Sequence, residues 1–206
     1  MGHRALVAYE RPDELYNLHY SHNGGLNLRL RHAITRETPL GGEESMRRRE
    51  LFCTQLTGDR RPTVAQGSVD CTRPRTPVDI TPLASELTLE AILTEQLNYA
   101  NHEAFYVVSR EFDVTAYRTH WFGLHHVADT AEQSPLHGNG AIRTVRWYDG
   151  DPVGDGFARG EFKALKRVVA DLLDRDVFSQ EQAIQYLEAK LRAWTNDHCE
   201  LVVRTP

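Results

Sequence analysis

The chain is poor in cysteine, poorer still in lysine, and lacks any long apolar run. Its three cysteines, Cys53, Cys71 and Cys199, are odd in number and far apart. That excludes a disulfide framework and a paired-cysteine metal knuckle, and they read as free thiols of a reducing compartment. No apolar stretch approaches the roughly 18–20 residues that a membrane-spanning helix needs. Met1-Gly2-His3-Arg4 runs straight into strand-like residues, without the apolar core and cleavage site of a signal peptide. A cytoplasmic protein without membrane contact is the expectation.

Lysine occurs only as Lys163, Lys166 and Lys190, against 21 arginines among 24 basic residues. With 29 acidic residues the formal net charge is −5. Such usage suits a GC-rich genome and a salt-rich cytosol, where the Debye length shrinks to about 3 Å at molar ionic strength. Catalytic motifs are also missing: no GxxxxGK[ST], HExxH or GxSxG pattern is present. A phosphate loop, a zinc-protease helix and a triad elbow are thereby excluded.

What is there reads as alternating strands and amphipathic helices. His3 to Tyr9 and Leu15 to His22 form a hairpin across Arg11-Pro12-Asp13-Glu14. In its second strand Tyr16, Leu18, Tyr20 and His22 share the more apolar face, which is expected to pack inward, and Leu15, Asn17, His19 and Ser21 share the other. Glu43 to Phe52 fits a short helix, and residues 57–82 an irregular excursion with four prolines and one short strand near Val64. Thr88 is placed to cap a helix to about Ala100. Ala104–Ser109 and Val114–Phe122 make a strand pair, and Ala141–Tyr148 a further strand.

The loop 149–156 leads to a helix over about Arg159–Arg175. Ser179 with Gln182 is a capping box for the next helix, and Glu200–Arg204 is a terminal strand. Strands arriving in pairs with helices late predict an α+β fold. It would have an antiparallel or mixed sheet with two to four helices mainly on one face, in one domain over residues 1–206.

The ten histidines carry the most chemistry. His19 and His22 flank Tyr20-Ser21, and His120, His125 and His126 surround Trp121-Phe122-Gly123-Leu124. Imidazoles converging from two strand ends suit a divalent transition metal. On a regular strand, however, His19 and His22 point to opposite faces, and packing histidines explain the pattern without any ligand. Asp149, Asp151 and Asp155 fail the EF-hand spacing and read as turn formers. Arg47-Arg48-Arg49, Arg60-Arg61 and Arg73 with Arg75 make the middle basic, but the acidic whole argues against a nucleic-acid partner.

The segments MGHRALVAYERPDELYNLHYSH, GGLNLRL, FYVVSREFDVTAYRTHWFGL and RWYDGDPVGDGFARGEFKAL resemble a family of uncharacterised haloarchaeal proteins with an N-terminal domain of unknown function. The resemblance covers most of the chain and agrees with the low lysine count. Asn23 stands where an aromatic residue is expected after Ser21-His22. The resemblance implies origin and localisation, and no activity. Two functions are carried forward. The first is a non-enzymatic cytosolic binding domain, acting as a homodimer, with His19, Tyr20, His22 and Trp121 at its binding surface and no cofactor. The second is a metal-dependent hydrolase or nuclease with His19, His22, His120, His125 and His126 around the ion.

Overall fold

The computed structural model describes residues 3–57, 76–195 and 199–205. Elements are numbered in chain order. Strands β1 (Ala5–Glu10) and β2 (Tyr16–Ser21) form the expected hairpin. They are followed by a single turn α1 (Leu30–Ala33), then α2 (Arg49–Thr57) and β3 (Ala84–Leu87). The single turn α3 (Leu89–Ala91) precedes β4 (Ala104–Val108) and β5 (Val114–Trp121). Then come β6 (Gly140–Thr144), β7 (Arg146–Tyr148) and β8 (Asp151–Val153). The long helices α4 (Asp155–Asp174) and α5 (Gln180–Trp194) and strand β9 (Leu201–Arg204) complete the order. The fold is α+β with a mixed sheet, as the pattern predicts. Five α-helices lie among the described residues: α1 is too short to leave a periodic signal, and α3 is the start of the helix expected after Thr88.

The chain divides into two compact units, Met1–Leu89 with Ala104–Ala116, and Glu90–Glu103 with Tyr117–Pro206. In the first unit β1 pairs antiparallel with β2 and parallel with β4, and β2 pairs with β3. Flanked on both edges, β1 is buried from Ala5 through Tyr9, which is why its sequence is a continuous apolar run. On β2 the expected facing holds at Leu18, which is buried, and is overturned elsewhere. Asn17, His19 and Ser21 are buried, whereas Tyr20 is half-buried and His22 exposed. The cause is a covering segment: Pro77 O accepts from Ser21 Oγ at 2.6 Å, and Asp79 O lies 2.8 Å from His19 Nδ1. Of the 57–82 excursion, residues 58–75 lie outside the described residues, taking with them the strand near Val64, Cys71 and the pairs at Arg60-Arg61 and Arg73 with Arg75.

In the second unit β6 pairs antiparallel with both β5 and β9. Helices α4 and α5 bury Phe162, Val169, Leu173, Ala183, Leu187 and Leu191 against Phe122, Leu124 and Ala141. The capping box forms as read: Gln182 N–H donates to Ser179 Oγ at 3.2 Å, and Ser179 N–H to Gln182 Oε1 at 2.9 Å. Other boundaries move. The helix expected to reach Ala100 stops at Gln96 after a widened turn, Ile92–Gln96. Asn98 Oδ1 accepts from the N–H groups of Ala100 and Asn101, offering the backbone a turn instead.

The strand expected over Ala141–Tyr148 breaks at Val145 into β6 and β7. β7 turns through Asp149-Gly150, both at positive φ, into β8, so part of the glycine-rich loop is a tight hairpin. α4 then starts at Asp155, four residues earlier than expected. No helix among the described residues is long and apolar enough to cross a membrane.

Gly140 sits where β6 crosses tightly. A Cβ there would meet His120 O and Tyr99 Cδ1, each at 2.5 Å. Gly140→Ala should therefore lower unfolding free energy by about 1–3 kcal/mol, more than the roughly 1 kcal/mol expected for Ser179→Ala at the helix cap. Urea unfolding checks the ranking, and an unchanged midpoint for Gly140→Ala would show that the close approach relaxes freely.

Candidate functional site

Arg118 and His120 are alternate residues of β5 and share a face. Both are buried, and both meet α4. Arg118 Nε donates to the Asp155 carboxylate at 2.8 and 2.9 Å, and its NH2 lies 2.7 Å from Oδ2. The pair is almost wholly buried, with side chains 2% and 9% exposed. It fixes the first turn of α4 on β5. Helical spacing then brings Arg159, Phe162, Lys163 and Lys166 onto one side of α4. There the Phe162 ring stands edge-on to His120, with centroids 4.9 Å apart.

These residues enclose a cavity of about 240 Å³ with Tyr99, Ala100, His102, Glu103, Thr119 and Trp121. Its walls are partly aromatic. Its charge is mainly positive, because Arg159, Lys163 and Lys166 face one carboxylate, Glu103, which pairs with Arg159 at 3.2 Å. His102 Nδ1 accepts from the Asn98 N–H at 3.2 Å, so its proton is on Nε2. Thr119 Oγ1 donates to His102 O and ties β5 to this wall.

Lys166 is the least ordinary group. Its ammonium lies 4.7 Å above the Trp121 ring and donates to Trp121 O at 3.1 Å and Gly123 O at 2.6 Å. Removal from water pushes its pKa down to about 8. Gly123 permits the arrangement, since any Cβ there would collide with the folded-back indole. His120 is more extreme. Burial, helped by Arg143, Arg118 and Arg159, pushes its pKa down to about 3. The ring is neutral at pH 7, and its buried Nε2 has no hydrogen-bond partner among the described residues.

The histidines singled out from the sequence are divided between the units. In the first, His19 is packed edge-on against Tyr9 and Phe52 at 5.2 and 5.4 Å, and burial pushes its pKa down to about 4. A carbonyl accepts at its Nδ1, so Nε2 is a bare acceptor, again unpartnered among the described residues. His22 is exposed, with Tyr20 Oη 3.4 Å from its Nδ1; it does not turn inward to join His19. In the second unit His125 and His126 do come together, centroids 4.2 Å apart, each about 5 Å from Trp121. His125 Nδ1 accepts from the Ser134 N–H. Among the described residues no three His, Cys, Asp or Glu side chains assemble as a metal-binding group.

The model of a family of unknown function, DUF6735, matches residues 1–203. The chain belongs to the DUF6735 family. No curated protein and no solved structure shows a significant match. For this DUF6735 member the cavity therefore has to be read from its own chemistry. Reading by motif reached His120 and Trp121 but missed Glu103, Arg159, Lys163 and Lys166. One signal was present: two of only three lysines stand three residues apart on one predicted helix face.

The buried histidines set an acid dependence. Their folded pKa values lie below the unfolded value near 6.5, so the unfolded chain binds more protons as pH falls. The stability they contribute is complete above about pH 6.5 and is lost progressively toward pH 4 and 3. Urea midpoints should fall between pH 7 and 5, and less steeply in His120→Phe. An equally steep fall in that variant would contradict a neutral buried His120.

Proposed function

We propose that the chain is a binding domain whose second unit takes a compact anion in the Tyr99–Lys166 cavity. One observation carries this reading: Arg159, Lys163 and Lys166 face a single carboxylate, Glu103, in the cavity wall, and the neutral His120, whose buried Nε2 has no hydrogen-bond partner among the described residues, borders the same cavity. An unmade hydrogen bond at a buried nitrogen costs on the order of 1–3 kcal/mol, and a polar ligand that reaches His120 would remove that cost. At about 240 Å³ the cavity falls below the usual range for drug-sized ligands. A small carboxylate or phosphate matches it in size and sign. The preference for arginine over lysine supports a saline cytosol as its setting.

A metal-dependent hydrolase or nuclease is the second reading, supported by the adjacent His125 and His126 rings. Zinc titration of untagged protein separates the two. Stoichiometric zinc, lost in a His125→Ala, His126→Ala double variant, favours the hydrolase.

For the binding reading, thermal unfolding is followed with millimolar phosphate, glycolate, glyoxylate and succinate at fixed ionic strength. At least one anion should raise the midpoint in proportion to the logarithm of its concentration. His120→Phe keeps the ring contact with Phe162 and removes the nitrogen, so it should weaken that anion about tenfold or more. No response to any anion, or an unchanged affinity in His120→Phe, would contradict the reading.

A further inference from the structure

A chain that supplies positive charge as arginine 21 times places two of its three lysines in the wall of one cavity. A guanidinium would serve for charge alone, and more rigidly. What arginine cannot supply is a neutral amine, since it stays protonated in proteins.

Burial works toward that amine at Lys166, against the two carbonyls and the Trp121 face that favour the ammonium. Among the described residues no carboxylate pairs with its Nζ, and Glu103, on the same cavity wall, is engaged by Arg159. Two of the three ammonium hydrogens are held by Trp121 O and Gly123 O. Loss of the third leaves both hydrogen bonds intact and frees a lone pair on Nζ. With the pKa near 8, roughly 300-fold more free amine is present at pH 7 than for an ordinary lysine. Desolvation beside an apolar wall is how lysines become nucleophiles toward carbonyl carbon. The charged and titratable groups around it are His125, whose pKa Lys166 helps to lower, together with Lys163, Arg159, Glu103 and His120.

We propose that Lys166 is a carbonyl-trapping amine and that the ligand of this cavity is a small oxo acid held covalently as an imine. The proposal rests on the anion-binding reading of the same cavity and names its ligand class. The amine lone pair attacks the aldehyde or keto carbon, and the displaced C=O pair takes up a proton. The carbinolamine so formed loses its hydroxyl as water, while the nitrogen gives up its remaining protons to become C=N. One carbonyl compound and one amine yield one imine and one water, with no oxidation or reduction. Lys163 and the partly neutralised Arg159 supply positive charge for the ligand's carboxylate.

The probe is glyoxylate, with glycolate as the same anion lacking a carbonyl. Full-length protein is incubated with glyoxylate and sodium cyanoborohydride, which reduces an imine to a stable secondary amine. Peptide masses then locate the adduct. The expected result is labelling of Lys166 at least tenfold over Lys163 and Lys190, with a rate that rises through a midpoint near pH 8. Lys166→Arg should lose this adduct and leave the labelling of the other two lysines unchanged. Equal labelling of all three lysines, or none at Lys166, overturns the proposal, and the wild-type map decides this even if the variant folds poorly. Thermal shifts keep the two claims apart. If both anions stabilise the protein but Lys166 stays unlabelled, the amine proposal fails and the anion reading stands. If neither stabilises it and Lys166 is unlabelled, both fail.

Discussion

The buried ion pair between Arg118 and Asp155 is the constraint on which the second unit depends. It joins the middle of β5 to the first turn of α4 through three short contacts, with almost no water at either side chain. Such a pair adds little net stability, because desolvation offsets most of the Coulomb attraction. Removing one partner is another matter, costing about 3–5 kcal/mol, since the remaining charge is stranded. What the pair provides is register. Arg143 stands opposite Arg118 on β6, so two cations face each other across the strands and Asp155 is the carboxylate bound there. Any slip of α4 would separate Arg118 from Asp155.

From that register the cavity follows. Phe162 meets His120, Arg159 meets Glu103, and Lys166 reaches across Trp121 to two backbone carbonyls. These contacts bury His120 and Lys166 and leave the Arg159–Glu103 pair partly exposed. His120 is held neutral by burial and by three neighbouring arginines, and Lys166 is drawn toward neutrality by burial alone. A site with a neutral imidazole and a lysine of lowered pKa, bordered by surplus cations, is suited to hold a small anion and to react with its carbonyl group.

Features decided within a few residues were legible in the sequence. The β1–β2 hairpin, the β4–β5 strand pair, the Ser179–Gln182 cap and the apolar stripes of α4 and α5 all rest on local pattern. Features decided by distant chain were not. The facing of β2 was misread because Pro77 and Asp79 supply the carbonyls that satisfy Ser21 and His19, and no local pattern records that cover. His120 and Trp121 stood out by residue type. Their working neighbours did not, because Arg159, Lys163 and Lys166 look like the solvated flank of an amphipathic helix until β5 is placed beneath them. Scarcity of lysine, rather than any motif, was the usable clue.

The central claim is that burial lowers the pKa of Lys166 to about 8, and its titration tests this directly. With 13C-labelled lysine the chain gives signals from only three residues, and Lys166→Arg assigns the relevant one. The account predicts that the Lys166 signal titrates near pH 8. A Lys166 signal titrating at the ordinary lysine value near 10.5 would contradict it.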